Sequence, residues 1–213
     1  MLDYQKQFIQ YSLECGVLKF GQFHLKSGRI SPYFFNTGLF NTGAQLAKLG
    51  EFYAQALIHA KIKVDILYGP AYKGIPLVCT TSIAYAHRQD SDIPFAFNRK
   101  EVKDHGEGGN LVGAPLKGNV LILDDVITAG TSVRESVVII NDAGATPAGV
   151  LIALDRQEKG KNDISAIQEV SDRFDMPVVS IIALEHIIEF IENDDAYKIN
   201  IETIKAYQQQ YGL

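Results

Sequence analysis

The 213-residue chain has only two cysteines, Cys15 and Cys79. They lie too far apart, and without any paired spacing, to announce a disulfide framework or a zinc site, and they read as small buried hydrophobes. His24, His59, His87 and His186 share no ligand spacing with one another and read as structural. No apolar run approaches the length of a membrane span. The first ten residues alternate polar and apolar side chains around Asp3 and lack the apolar stretch of a secretory signal, so the expected location is the cytoplasm. Positive charge is in deficit, 20 Lys and Arg against 25 Asp and Glu for a net charge of -5, which removes long-range attraction for nucleic acid or an anionic membrane. An anionic ligand must therefore be gripped by a local basic cluster. Two familiar phosphate motifs are missing as well. No Gly-Lys-Ser/Thr follows a strand, and Gly106-Glu107-Gly108-Gly109-Asn110-Leu111 lacks the last glycine of a dinucleotide fingerprint. There is no internal repeat and no low-complexity tract.

What is present is the composition of a globular protein, 46% hydrophobic and 21% charged, long enough for one sizeable core with a small appendage. Tyr4, Phe8, Ile9, Ser12 and Leu13 share a helical stripe that Gly16 ends. The aromatic-rich runs 20–26 and 31–36, joined through Ser27-Gly28-Arg29, read as a hairpin. Thr42 is placed to cap a helix whose core face is Leu46, Leu49, Phe52, Tyr53, Ala56 and Leu57. Beyond it, apolar runs at 64–68, 94–97, 119–123, 148–154 and 178–182 alternate with helical patterns at 74–87, 131–143 and 165–174 and two more after Leu184. That alternation predicts an α/β fold with a central parallel sheet flanked by helices, with ligands at the carboxyl edge of the strands. Residues 98–115, glycine-rich and charged, predict a long mobile loop, and 156–163 a shorter polar one.

The stretch Val120-Leu121-Ile122-Leu123-Asp124-Asp125-Val126-Ile127-Thr128-Ala129-Gly130-Thr131-Ser132 carries the clearest chemistry. An apolar strand ends in adjacent carboxylates, which can accept hydrogen bonds from a vicinal diol. A small-residue loop and a helix start follow, where backbone N–H groups and the Thr and Ser hydroxyls can cradle a phosphate. Taken singly, an Asp at a strand end or a Ser or Thr at a helix start is an ordinary cap. Contiguous, they describe a site for a ribose 5-phosphate.

This stretch resembles the phosphoribosyl pyrophosphate (PRPP) signature of type I phosphoribosyltransferases. The resemblance to bacterial orotate phosphoribosyltransferases runs over nearly the whole chain, through Leu18-Lys19-Phe20-Gly21, Leu25-Lys26-Ser27-Gly28-Arg29, Ser31-Pro32-Tyr33-Phe34-Phe35-Asn36, Gly69-Pro70-Ala71-Tyr72-Lys73-Gly74-Ile75-Pro76, Asn98-Arg99-Lys100-Glu101, Lys103-Asp104-His105-Gly106-Glu107-Gly108 and Leu154-Asp155-Arg156-Gln157-Glu158. It implies the type I phosphoribosyltransferase fold as a single domain over 1–213, with a small N-terminal hood at roughly 1–40 and a flexible catalytic loop at roughly 98–115.

It further implies that Asp124 and Asp125 hold the ribose hydroxyls while Thr128, Ala129, Gly130, Thr131 and Ser132 wrap the 5-phosphate, with Val126 and Ile127 also among the PRPP-binding residues. Lys26, Tyr72, Lys73, Arg99, Lys100, Lys103 and His105 would grip PRPP. Of these, Lys73, Lys100, Lys103 and His105 would join Asp124 and Asp125 as catalytic groups. Lys26, Phe34, Phe35, Thr128 and Arg156 would receive orotate. Mg²⁺ is the implied cofactor, reaching the site mainly through PRPP and water with no direct protein ligand expected. The implied assembly is a homodimer whose mobile loop completes the neighbouring site, with no nucleic acid or membrane partner.

From residue types alone, Arg99, Lys100 and Lys103 would serve equally as a solvated charge cluster. Lys26 would be a turn lysine, and Phe34 and Phe35 strand residues. Two other functions share the fold: transfer to a purine or uracil, which the Phe34-Phe35 and Arg156 segments disfavour, and PRPP sensing without catalysis.

Overall fold

The computed structural model describes residues 1–25, 27–101, 110–160 and 163–213. Helix α1 (Asp3–Glu14) leads into strands β1 (Leu18–His24) and β2 (Ile30–Phe35), which pair antiparallel as a separate two-stranded sheet. A 3-10 turn (Thr37–Leu39) precedes α2 (Gly43–Ala60), which is capped by the Thr42 hydroxyl accepting from the Gln45 amide. Then come β3 (Ile66–Gly69), α3 (Gly74–Gln89), β4 (Phe95–Asn98), β5 (Leu111–Gly113), β6 (Asn119–Leu123), α4 (Thr131–Asp142), β7 (Thr146–Asp155), α5 (Ala166–Phe174), β8 (Val178–Ala183) and α6 (Leu184–Glu192). A second 3-10 turn (Lys198–Asn200) leads to α7 (Ile201–Tyr211).

The six-stranded sheet has the order β5-β4-β3-β6-β7-β8, and all its neighbours are parallel except β5 with β4. Strand periodicity sorts its side chains onto two faces. Leu67, Leu121, Leu123, Leu151 and Ala153 join the larger core with α1, α2, α3 and α6. Ile66, Tyr68, Val120, Ile122, Val150 and Ile152 meet Val133, Val137 and Ile140 of α4 and Val170 of α5. Both faces are buried, which is why the central strands read as unbroken apolar runs rather than alternating ones.

From β3 the chain crosses outward to β4, whereas from β6 it crosses the other way to β7. The strand order therefore reverses between β3 and β6. Such a reversal splays the two following loops apart and opens a crevice at the carboxyl ends of the strands.

Strand β5 corrects the sequence expectation of an uninterrupted loop over 98–115. Leu111 to Gly113 pairs with Asn98 to Ala96 as an antiparallel edge. Three residues are too few to show a period. Gly113 enables the pairing, because its φ is +103° and a Cβ there would lie 2.4 Å from the Phe95 carbonyl oxygen. Residues 102–109 of that stretch lie outside the described residues. The segment after β7, expected as a polar loop, has no helix or strand among its described residues but is tied down by a Glu158–Gly212 bridge.

Candidate active site

Strand β6 delivers Asp124 and Asp125 to the β3–β6 crevice as a pair of buried carboxylates. Asp125 is the more heavily engaged. Its Oδ2 accepts from Lys73 Nζ at 2.6 Å and from the Thr37 hydroxyl at 3.1 Å, and its Oδ1 accepts from the Val126 amide at 2.9 Å. Lys73 comes from the turn between β3 and α3, so the ion pair spans the switch point. Asp124 Oδ1 accepts from the Asp125 amide at 2.9 Å and the Ser132 side chain also hydrogen-bonds the carboxyl, while the Tyr53 hydroxyl holds the Asp124 backbone carbonyl at 2.8 Å.

This difference in partners has an electrostatic consequence. Burial pushes the Asp124 carboxyl up to about 6; hydrogen bonding by the Asp125 amide opposes the rise and the neighbouring Asp125 charge adds to it. A carboxyl whose folded value lies above its ordinary 3.8 favours folding when protonated. Its contribution is present in full below pH 3.8 and lost as pH rises through about 6. The expected size is on the order of 3 kcal/mol. Urea unfolding of wild type and Asp124→Asn across this interval should show the wild type losing about that much relative to the variant; parallel pH curves would contradict it.

Beyond the carboxylates, Asp124 and residues Val126 to Val133 line a cavity of about 250 Å³. Gly130 sits at its far end as the residue before α4, with φ +64°, and a Cβ there would lie 2.9 Å from Val170 Cγ2. Only glycine takes this turn without strain and without crowding α5. The first amides of α4 have no acceptor within the helix, and the helix dipole adds positive potential there. The pocket thus joins acceptors at one end to free donors at the other.

The remaining expected residues fall into three groups. Tyr72 is exposed in the β3–α3 turn, and the Lys100 ammonium lies 5.1 Å from its ring centroid. That turn is pinned to the end of β4 by the Ala71 amide donating to Asn98 Oδ1 at 2.8 Å, and the Arg99 amide donates to the Asn110 carbonyl. Tyr72, Lys73, Arg99 and Lys100 therefore follow the neighbouring strands β3 and β4. Arg156 follows β7, whose Ala153 amide donates to the Asp125 carbonyl, so it lies along the same edge. Its guanidinium is half-buried over the Tyr33 ring, 4.2 Å from the centroid, and bonded to Ser31 and Glu158. Phe34 and Phe35 are half-buried in β2. Phe34 stacks on Phe23 at 5.3 Å between centroids, and Phe35 meets Phe8 edge-on at 6.2 Å. Lys26, Lys103 and His105 lie outside the described residues.

Sequence reasoning missed Thr37, Tyr53 and Glu158. Tyr53 carried a signal for the core, where its ring is; nothing in the local pattern marks the hydroxyl contact or the other two residues.

Residues 37–181 match the phosphoribosyl transferase domain family, the class that this sheet and its strand-end pocket define. Over all 213 residues the chain is 59% identical to the orotate phosphoribosyltransferase of Pseudomonas aeruginosa and 58% identical to that of Pseudomonas syringae pv. tomato, covering 100% of each. The crystal structure of orotate phosphoribosyltransferase from Francisella tularensis superposes with a TM-score of 0.87 at 48% identity, over 97% of this chain and 100% of that one. The chain belongs to the orotate phosphoribosyltransferase family.

Proposed function

We propose that the protein transfers the ribose 5-phosphate group of PRPP to a ring nitrogen of orotate, giving orotidine 5′-monophosphate and pyrophosphate in pyrimidine biosynthesis. The observation that carries this reading is the pocket at the β3–β6 switch point, with the buried carboxyl of Asp124 in its lining, the buried Asp125 next to it in sequence, and helix-start amides at the other end. A ribose 5-phosphate needs that pairing. Its two hydroxyls would donate to Asp124 and Asp125, and its phosphate would take the amides and hydroxyls of residues 128–132.

In the reaction the nitrogen of the base forms a bond to ribose C1 as the bond from C1 to the pyrophosphate oxygen breaks. No side chain is needed as nucleophile. Positive charge develops on the ring, so catalysis is positioning plus stabilisation of a multiply charged leaving group. Lys73, held at 2.6 Å from Asp125, is already at the crevice. We assign to it, with Tyr72, Arg99, Lys100, Lys103 and His105, the grip on pyrophosphate. Lys26, Phe34, Phe35, Thr128 and Arg156 are assigned to the base, with the Arg156 guanidinium suited to its carboxylate or imide edge.

Magnesium suits this donor set. Asp124 and Asp125 supply hard oxygens, and Asp124 has no cationic partner among the described residues. When bound through PRPP and water, Mg²⁺ would neutralise charge on the departing pyrophosphate.

We take the chain as one domain with residues at roughly 1–40 as a hood, working as a homodimer in which the loop at roughly 98–115 completes the neighbour's site. Free Cys15 and Cys79 suit the reducing cytoplasm, and no helix among the described residues is long and apolar enough to cross a membrane.

A panel of bases incubated with PRPP and Mg²⁺ tests the assignment. Orotate should be consumed with stoichiometric pyrophosphate, and adenine, guanine, hypoxanthine and uracil should not. Turnover of a purine or uracil instead would move the specificity, and PRPP binding without turnover of any base would favour a sensor.

A further inference from the structure

Glu158 stands two residues past Arg156, and its side chain is only 14% exposed. Its carboxylate is a junction. Oε1 accepts from Arg156 Nε at 2.7 Å and from the Tyr207 hydroxyl of α7 at 3.0 Å, with Arg156 Nη2 also at 2.7 Å. Oε2 accepts from Arg29 Nη1 at 3.1 Å. Arg156 Nη2 reaches Ser31 Oγ at 3.0 Å. The Nε and Nη2 edge of the guanidinium is therefore taken, whereas Nη1 has no acceptor among the described residues.

The C-terminal residues close over this junction. The Lys159 amide donates to the Tyr211 carbonyl at 2.8 Å, the Leu213 amide to the Gln157 carbonyl at 3.1 Å, and Arg29 lies 4.7 Å from the Tyr211 ring centroid.

We infer that Glu158, held by Tyr207 of α7, is a positioning residue that turns the free Nη1 end of Arg156 toward the base and so sets affinity for an anionic base. This rests on the assignment of Arg156 to the base in the proposed function. A half-buried arginine has several rotamers, and a carboxylate that occupies one whole edge selects among them while leaving the other edge open. A carboxylate that only anchored the C-terminus would have no bearing on one substrate more than the other.

Steady-state kinetics of wild type, Glu158→Ala, Glu158→Gln and Tyr207→Phe, with each substrate varied in turn, separate the roles. Glu158→Ala should raise the KM for orotate about tenfold and leave the KM for PRPP within about twofold. Glu158→Gln, which can still accept from one guanidinium, should restore part of the loss. Tyr207→Phe, which removes only the hydroxyl, should raise the orotate KM about two- to threefold and carries the test if Glu158→Ala does not fold. Equal rises in both KM values, or an orotate KM unchanged in every folded variant, would overturn the inference. The wild-type control keeps the two readings apart. If wild type does not use orotate, the proposed function fails; if it does and the variants keep its KM, only the role of Glu158 fails.

Discussion

Lys73→Ala should lower kcat by about two to three powers of ten while changing the unfolding free energy by about 1 kcal/mol. The asymmetry follows from where the lysine sits. Its side chain is 55% exposed, so its ion pair with Asp125 is largely screened and adds little to stability. Its ammonium nevertheless lies in the crevice between β3 and β6, where a departing pyrophosphate would draw it from Asp125 toward the leaving group. Chemical quench and urea unfolding on the same preparation measure both quantities. A variant that kept wild-type turnover, or lost activity only in proportion to unfolding, would exclude the role. Mixing Lys73→Ala with Lys103→Ala chains should return part of the activity if the loop at roughly 98–115 serves the neighbouring subunit. Hybrid dimers with no recovery would confine each site to one chain.

The larger effect is expected from neutralising the carboxylates. Asp124→Asn with Asp125→Asn should reduce kcat/KM for PRPP by about three powers of ten or more, since the proposed acceptors for the ribose hydroxyls and the proposed counter-charge to the developing cation would be weakened together. Stability should move the other way for Asp124. Its charged form is disfavoured by burial and by Asp125, so Asp124→Asn alone should unfold at about pH 7 no more easily than wild type. Asp125→Asn should be the less stable single variant, because Lys73 and Thr37 lose an ionic acceptor. Activity and stability falling together in Asp124→Asn would show the acid to be structural. A buried acid whose charged form is disfavoured, lining a pocket, is the pattern expected of a functional group.

The sheet was legible in the sequence because strands buried on both faces are written as apolar runs, as in Val120 to Leu123. The strand-end pocket at Asp124 to Ser132 was legible for a related reason: its lining residues are nearly contiguous, a strand end followed by a helix start. Strand β5 was not, because three residues joined to a glycine-rich stretch carry no period. The partners of the functional groups were least legible. Thr37 and Lys73 reach Asp125 from 88 and 52 residues away, and Arg29 reaches Glu158 from 129. Such contacts arise from how the β1–β2 segment and the β3–α3 turn meet the ends of β6 and β7, which local patterns do not encode. Arg156 shows the limit well. Its position after β7 pointed to the ligand edge, but the edge of the guanidinium left open depends on Glu158 and Ser31.

A crystal structure of the protein with PRPP and Mg²⁺ tests the central claim most directly. The 5-phosphate should lie against the backbone amides of residues 128–132, with the two ribose hydroxyls within hydrogen-bond distance of Asp124 and Asp125. A phosphosugar bound elsewhere, or bound here with both carboxylates turned away from the ribose, would contradict the account.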